Sequence, residues 1–251
     1  MQEFRARAKT LSKAYHEALM KLEEFGDIAD CVDWNCKQKE VSMTMVVENP
    51  LREPMISKFF IGGPRELQQY VMEMLDGILD FEVEKGNWHY TYHQRYAEQL
   101  DYVVKELMRN PSSRRAVMVL WDKDVDQASG EPPCLNHIQF FVRNDKLDMD
   151  VLFRSNDAVK ATFMNAFALI MLQKKVADIL SYGVGTYTHR ANSFHCYEKD
   201  FDKLKKFADV YKNVSVWDDY DLSYCYKGDW EEEMEDTVPE ILKAVEILKE
   251  R

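Results

Sequence analysis

The chain has 251 residues, of which 46% are hydrophobic and 31% charged, and it carries a net charge of −11. That length can bury a sizeable core, and the low content of Gly and Pro excludes a disordered or collagen-like chain. The acidic balance argues against binding of nucleic-acid polymers, but it permits a small anion held by a few arginines. The odd number of cysteines predicts reduced thiols, and neither a signal peptide nor a membrane span is recognisable. We therefore expect a cytoplasmic protein with no membrane partner.

The first part of the chain is predicted to be mainly helical. Apolar residues at helical spacing predict an amphipathic helix over residues 2–25, and alternating Val and Met predict a strand over 41–48. Two prolines predict a loop at 49–54. Pro64 can open the next helix because its fixed φ suits a first turn, and a further helix is predicted over 96–110.

The middle of the chain is rich in residues that favour strands. Strands are predicted over 115–122, 137–143 and 147–153. Asn144 and Asp145 suit the tight turn of a hairpin between the last two strands. Neighbouring strands are therefore expected to be antiparallel.

The rest of the chain alternates again between helix and strand. The predicted elements are a buried helix over 157–183, a strand over 186–197, a charged helix over 198–211, a short strand at 214–217 and a closing helix over 238–250. No internal repeat or low-complexity linker divides the chain. The pattern predicts a single α+β domain over residues 1–251.

Cys134 and two arginines are the first candidates for chemistry. Cys134 follows two prolines and precedes a predicted strand, where a side chain can face a cleft. Its thiolate could be a nucleophile if a nearby cation lowers its pKa, and an inert buried cysteine is the alternative. Arg114 and Arg115 stand at the start of a predicted strand. They would reach one phosphate together only if the chain bends there, and a solvated charge pair is the alternative.

A second group of candidates lies where a strand is predicted to give way to the buried helix. Arg154 and Ser155 are suitable phosphate ligands near a helix N-terminus, while Ser155 or Asp157 could instead be a simple helix cap. Asn165 falls inside the apolar helix. Its amide could match the edge of a pyrimidine base or could bond to neighbouring backbone.

His195 and Tyr197 are two residues apart on a predicted strand and therefore share a face. They could bind a sugar hydroxyl or could be ordinary half-buried strand residues. No cysteine or histidine spacing typical of a zinc site occurs, so no metal site is predicted.

The order of these residues resembles the thymidylate synthase family. The matching positions are, in chain order, Arg114–Arg115, Cys134 with Gln139, Arg154–Ser155–Asp157, Asn165, and His195 with Tyr197. The segment ELQQY at 66–70 is similar to the family's helix with a catalytic glutamate, which would be Glu66. The resemblance covers residues 60–205.

The resemblance implies an α+β fold with a large mixed β-sheet flanked by helices, and two copies stacked through their sheets as a homodimer. It also implies an enzyme in which the Cys134 thiolate adds to carbon 6 of a pyrimidine nucleoside monophosphate. Carbon 5 then attacks the one-carbon unit of 5,10-methylenetetrahydrofolate. The carbon-5 proton is removed and the folate departs.

The family's roles are expected at the matching positions. The expected catalytic residues are Cys134 as nucleophile, Glu66 organising water, Asp157 contacting the base and pterin, and Tyr92 near the nucleophile. The expected substrate-binding residues are Arg154 and Ser155 on the 5′-phosphate, Arg114 and Arg115 reaching it from the partner subunit, Gln139, Asn165 on the base edge, and His195 with Tyr197 on the sugar 3′-hydroxyl.

Several features depart from a standard thymidylate synthase. The arginine loop that covers the phosphate is missing, with Arg52 as the nearest substitute, and Leu135 stands where many synthases have His. Asn192–Ser193 replaces a Gly-Asp pair, and the sequence ends in EILKER rather than in a small apolar tail. Closure of the site decides whether water reaches the methylene intermediate. These features favour 5-hydroxymethylation, with reductive methylation of dUMP to dTMP as the alternative.

The base is predicted from Asn165, which can donate to a uracil carbonyl and accept from the ring N–H. Cytosine enzymes of this family tend to carry Asp there, so we expect a uridylate-type substrate and leave a cytidylate hydroxymethylase open. Two alternatives of another class are a catalytically silent nucleotide-binding relative and a structural dimer that binds RNA. The intact Cys134 argues against the first and the acidic charge against the second.

Overall fold

The computed structural model describes residues 1–214 and 221–250. Its strands are β1 Glu3–Ala8, β2 Asp27–Cys31, β3 Cys36–Val47, β4 Ile56–Ser57, β5 Val117–Val119, β6 Leu135–Arg143, β7 Lys146–Asp157, β8 Gly183–Tyr197 and β9 Ser223–Tyr224. Its helices are α1 Leu11–Phe25, α2 Pro64–Asp76, α3 Phe81–Glu84, α4 Tyr92–Arg109, α5 Thr162–Leu180, α6 Phe201–Asn213 and α7 Glu231–Lys249. The strand predicted at 214–217 falls almost entirely outside the described residues.

Within the described residues, the main sheet has seven strands in the order β1-β3-β8-β7-β6-β5, with β2 added beside β3. The pairs β1–β3 and β7–β8 are parallel and the other pairs are antiparallel. The expected α+β fold with a large mixed sheet is confirmed. The expectation that neighbouring strands are antiparallel is wrong for β7 and β8, because the α5 crossover returns the chain in the same direction.

The N-terminal segment is a strand followed by a helix, and the single helix predicted over 2–25 is wrong. Ala6 is fully buried in β1, and α1 begins only after Thr10, whose hydroxyl accepts the Lys13 backbone N–H at 3.3 Å. The rings of Phe4 and Phe25 stack at 5.0 Å. The apolar pattern thus arises from two elements that pack together. Phe4, Ala6 and Ala8 alternate with polar residues as in a strand, and the helical spacing begins only at Leu11.

Other predictions are confirmed with shifted boundaries. Asn144 and Asp145 have φ of 50° and 57°, as the tight hairpin turn requires. The helix predicted from residue 157 begins at Thr162, because β7 continues to Asp157 beside β8. The closing helix begins at Glu231, earlier than predicted.

The helices α1, α4 and α5 pack on the sheet, and α2 packs on α4, α5 and α7. Along β6 and β8, buried residues alternate with half-buried ones, so one sheet face is covered by helices and the other is not. The uncovered face carries Gln139, Leu152, Thr188 and Arg190. Among the described helices, none is long and apolar enough to cross a membrane.

Candidate active site

The Cys134 thiol opens onto a cleft of about 810 Å³ at one end of the sheet. The cleft is bounded on one side by the β2–β3 hairpin and on the other by the segments that carry the predicted phosphate and sugar ligands. Its lining residues are Asp30, Cys31, Val32, Asp33, Trp34, Gln38, Tyr90, Gly130, Glu131, Pro132, Cys134, Arg154, Ser155 and Tyr197. Four residues predicted from the sequence therefore meet in one cleft.

Arg154 holds the segment before the nucleophile in place. Its Nε donates to the Pro133 carbonyl at 3.1 Å and its Nη2 to the Pro132 carbonyl at 2.8 Å. Its backbone N–H donates to the Cys134 carbonyl at 2.8 Å. The two prolines limit the backbone, so Arg154 and β7 fix where the thiol points. Cys134 immediately precedes β6, as predicted from the sequence.

The environment of Cys134 controls how readily it ionises. Burial raises the pKa of the thiol, and the Arg154 guanidinium opposes this rise. A positive charge close to a half-buried thiol stabilises the thiolate that a nucleophile needs. Arg154 therefore has two effects at this site, one on geometry and one on charge.

Three tyrosines, Tyr70, Tyr90 and Tyr92, lie within electrostatic reach of the thiol. Burial raises the pKa of each, to about 12 for Tyr90. The Tyr92 hydroxyl contacts the backbone of Leu135, which places it next to the nucleophile as predicted. Tyr70 and Tyr90 were missed by sequence reasoning, because no spacing rule links them to Cys134. All three stay neutral and can serve as hydrogen-bond donors.

The parallel pairing of β7 and β8 aligns Ser155 with Ser193 and Asp157 with His195. The Ser155 hydroxyl lies 3.4 Å from His195 Nδ1, and the rings of His195 and Tyr197 meet edge to face at 4.8 Å. His195 is buried, and its Nε2 has no hydrogen-bond partner among the described residues. The structure thus brings together residues that lie forty positions apart in the chain.

The alternative that Ser155 or Asp157 caps the helix is wrong, because both belong to β7 and α5 begins after Ala161. Asp157 Oδ1 accepts the backbone N–H groups of Val159 at 2.9 Å and Lys160 at 3.0 Å. This carboxylate therefore shapes the turn that leads out of β7. It also opposes the fall in the pKa of His195 that burial causes.

Asn165 lies on α5 and is only 4% exposed. The Tyr70 hydroxyl donates a hydrogen bond to its Oδ1. Because burial raises the pKa of Tyr70, the tyrosine remains a donor and orients the Asn165 amide. The amide therefore has a defined donor end and acceptor end, a property that the sequence could not show.

Glu66 is a correction to the predicted site. It is exposed at the start of α2, where its Oε2 accepts the Gly63 backbone N–H at 2.8 Å and caps the helix. Two helical turns further on, burial raises the pKa of Glu73, and Gln69 donates to it at 2.9 Å. Glu73 lines a cavity of about 180 Å³ with Tyr70, Trp88, Tyr90 and Tyr92. It is the carboxylate of α2 that lies beside the tyrosines.

The sequence model of the thymidylate synthase family matches residues 69–215. The chain belongs to the thymidylate synthase family. A protein of Methanocaldococcus jannaschii that is named as a candidate thymidylate synthase is 34% identical to this chain. The match covers 79% of this chain and 93% of that protein. Thymidylate synthase 1 of Bacillus subtilis is 32% identical over 50% of this chain and 48% of that protein. The thermostable thymidylate synthase A of Bacillus subtilis shares the fold, with a TM-score of 0.65 at 20% identity over 80% of this chain and 84% of that chain.

Members of the thymidylate synthase family are one-carbon transferases that act on pyrimidine nucleotides, with methylenetetrahydrofolate as the donor. The family, the enzyme class and the donor predicted from the sequence are confirmed. In the part of the chain that the structure describes, no three His, Cys, Asp or Glu side chains cluster in a way that could hold a metal ion.

Three further residues predicted from the sequence do not reach the cleft of their own chain. They are Arg114, Arg115 and Gln139. Arg114 and Arg115 are exposed and line a separate depression of about 410 Å³ beside Asn110. Gln139 Nε2 donates to the Arg114 carbonyl at 3.0 Å. The sheet face that carries Gln139 is the one without helices, so these residues lie at a surface open to a second molecule.

Proposed function

We propose that this protein transfers a one-carbon unit to carbon 5 of dUMP, with Cys134 as the nucleophile and residues 1–251 acting as a single catalytic domain. The observation that carries the proposal is the position of Cys134. Its thiol shares one cleft with Arg154, Ser155 and Tyr197, which supply a cation, a hydroxyl and an aromatic ring. A nucleotide offers a phosphate that Arg154 and Ser155 can hold and sugar hydroxyls that Tyr197 can bind.

The chemistry begins when the Cys134 thiolate forms a bond to carbon 6 of the base. The electron pair of the carbon 5–carbon 6 double bond moves toward carbon 5 and the carbon 4 oxygen, so carbon 5 becomes nucleophilic. Arg154 and Ser155 would hold the phosphate, and His195 with Tyr197 would bind the sugar. Glu73, beside Tyr70 and Tyr90, replaces Glu66 as our candidate for handling the proton of carbon 5, since burial already raises its pKa. Once carbon 5 has bonded to the one-carbon unit, loss of that proton would supply the electron pair that displaces the folate amine. Addition of hydride or water to the transferred carbon would then restore the carbon 5–carbon 6 double bond and expel the Cys134 thiolate.

The cavity that Glu73 and the three tyrosines line suits the pterin ring of the folate. Its aromatic walls include Trp88 and Tyr90, on which a flat pterin ring can stack, and Glu73 offers a carboxylate to the ring nitrogens. When bound, methylenetetrahydrofolate supplies the one-carbon unit and, for methylation, the hydride. Asp157 remains a candidate for contacts to base and pterin through the turn that it stabilises.

Two products fit this site, and we place dTMP first. Relatives matched over most of their length are named as candidate thymidylate synthases, which supports reductive methylation. Hydroxymethylation is the second candidate, because none of the described residues of α7 lines the cleft. The end of α7 instead contacts Lys85, whose Nζ donates to the Leu248 and Lys249 carbonyls at 3.0 and 2.7 Å. A cleft that α7 does not cover gives water access to the intermediate.

Tritium release from carbon-5-labelled dUMP in the presence of methylenetetrahydrofolate tests the reaction. We expect release by the wild-type protein and its loss in Cys134→Ala, with nucleotide binding retained. Cys225→Ala is the matched control, because Cys225 is exposed and does not line the cleft. Release by Cys134→Ala at the wild-type rate, or none by wild type with dUMP, dCMP, UMP or CMP, contradicts the proposal. Product mass together with dihydrofolate absorbance then distinguishes methylation from hydroxymethylation.

We further propose that two copies stack through the uncovered sheet face, so that Arg114 and Arg115 reach the phosphate in the cleft of the partner subunit. Support comes from the exposure of both arginines and from the half-buried side chains of that face. Mixing Cys134→Ala with an Arg114→Ala/Arg115→Ala double variant tests this. If the arginines act across the interface, mixed dimers hold one complete site and regain about a quarter of the wild-type activity. No recovery after subunit exchange refutes the shared site.

A further inference from the structure

The two cysteines of the β2–β3 hairpin face each other across the strands. Cys31 pairs with Cys36 in the antiparallel register, as the last pair before the connecting loop. Directly opposed residues have Cα atoms about 4.5–5.5 Å apart, within the range that a disulfide bridges. Their side chains point to the same face, and the two thiols are in hydrogen-bonding contact. A bond between the sulfurs therefore requires little backbone movement.

The loop between them holds this arrangement. Val32–Trp34 forms a short 3₁₀ turn, and Asn35 adopts the left-handed conformation with φ of 47°. The Asn35 backbone N–H donates to the Val32 carbonyl at 3.2 Å. The loop closure that a disulfide would impose is already present in the reduced chain, so the entropic cost of joining the sulfurs is small.

The pair is also accessible and lies at a functional surface. Both thiols are half-buried, and Cys31 lines the same cleft as Cys134. Of the thiols in the described chain, Cys196 is buried with Lys39 as its strand partner, and Cys225 is exposed on a different segment. Only Cys31 and Cys36 among these thiols oppose each other across a strand pair.

We propose that Cys31 and Cys36 form a reversible disulfide in the wall of the cleft by exchange with a small-molecule disulfide such as oxidised glutathione. One protein thiolate attacks the glutathione disulfide, forms a mixed disulfide and releases one glutathione thiolate. The second protein thiolate attacks the protein-side sulfur and displaces the other glutathione. The protein loses two electrons and two protons, and the electrons reduce the glutathione disulfide to two thiols.

The disulfide would stabilise the wall of the cleft. The hairpin tip carries Trp34, which is 65% exposed and lies edge to face with Tyr197 at 6.4 Å. Joining Cys31 to Cys36 restricts the residues between them and so limits how the Trp34 ring moves against Tyr197. The redox state of the pair is thereby coupled to a side chain that lines the cleft, while Cys134 is left as a free thiol.

Exchange with oxidised glutathione, followed by alkylation with N-ethylmaleimide and trypsin digestion of the full chain, tests this inference. Trypsin places Cys31 and Cys36 together in residues 22–37, Cys134 in 124–143 and Cys196 in 191–199, so each site is measured separately. Burial and the Cys31 thiol raise the pKa of Cys36, so the exchange is run at a pH of about 8.5. We expect the mass of peptide 22–37 to fall by two hydrogens and the peptide to carry no N-ethylmaleimide. Reduction with dithiothreitol is expected to restore the two hydrogens and the labelling of both cysteines.

Single variants show whether the bond depends on the pair. In Cys31→Ser and Cys36→Ser, the remaining thiol is expected to keep one glutathione as a mixed disulfide. Cys225→Ser, which removes an exposed thiol elsewhere, is expected to leave the loss of hydrogens in peptide 22–37 unchanged. The inference is overturned if the wild-type peptide keeps both labels at equilibrium, or if glutathione stays on one cysteine without the bond closing. Both outcomes are independent of whether the protein turns over dUMP.

Discussion

Removal of the Arg154 charge provides a direct test of how this protein activates Cys134. The guanidinium is held by the Pro132 and Pro133 carbonyls at 2.8 and 3.1 Å, so its charge lies beside the residues that precede the thiol. Burial raises the pKa of Cys134 and Arg154 opposes the rise, so Arg154→Gln raises that pKa further. An opposite charge beside a half-buried group is worth on the order of 1–2 kcal/mol at the effective dielectric of a protein cleft.

The assay is the rate of Cys134 alkylation by iodoacetamide as a function of pH, followed by the mass of peptide 124–143. Below the pKa of the thiol, the rate follows the thiolate fraction, so Arg154→Gln is expected to react about five- to thirtyfold more slowly than wild type. Above the pKa in both proteins the rates converge, because the thiols are fully ionised. Arg154→Lys keeps the charge but loses the two-pronged hydrogen bond, and it is expected to react at close to the wild-type rate.

The pattern of the three curves decides between charge and geometry. If Arg154→Gln reacts as fast as wild type at neutral pH, the cation does not stabilise the thiolate and the argument fails. If Arg154→Gln and Arg154→Lys are slowed equally at every pH, including the high-pH plateau, access to the thiol has changed rather than its ionisation. Arg143→Gln is the matched control, since Arg143 lies at the far end of β6 and does not line the cleft. In this variant Cys134 is followed in peptide 124–146, because the next tryptic site is Lys146.

Three further predictions concern base choice and stability. Asn165→Asp is expected to shift the ratio of kcat/KM toward dCMP over dUMP, because a carboxylate oxygen replaces the amide donor and can accept from the amino group of cytosine, and an unchanged ratio would reject that role. Tyr70→Phe removes the donor to the amide oxygen, so the preference for dUMP over dCMP is expected to fall about fivefold, and a preference equal to wild type would contradict the orienting role. Phe167→Ala deletes a fully buried side chain and is expected to lower the free energy of unfolding by about 3–5 kcal/mol in urea titrations. Leu242→Ala, at a 44% exposed position, is the control and is expected to change it by less than about 1 kcal/mol.

Features determined by local chemistry could be predicted from the sequence alone. Pro64 at the first turn of α2 and the left-handed pair Asn144–Asp145 were recognisable because each rule involves adjacent residues. The family was also recognisable, because the resemblance depends on the order and spacing of Cys134, Arg154–Ser155 and His195 along the chain. These can be read without a structure. Cys134 just before β6 and Tyr92 near it lie where the sequence analysis predicts, and their roles remain proposals.

Only the tertiary structure decided how distant segments share a site. Residues 3–8 were predicted to begin the first helix but form β1, because pairing with β3 gives their backbone groups partners that a helix would otherwise supply. Glu66 matched the expected motif, yet the capping bond to Gly63 places it at the exposed start of α2, and Glu73 lies beside the tyrosines instead. The orientation of the Asn165 amide by Tyr70 and the opposition of Cys31 and Cys36 are further cases. Each depends on side chains brought together by strand register and helix packing, which no local spacing rule encodes.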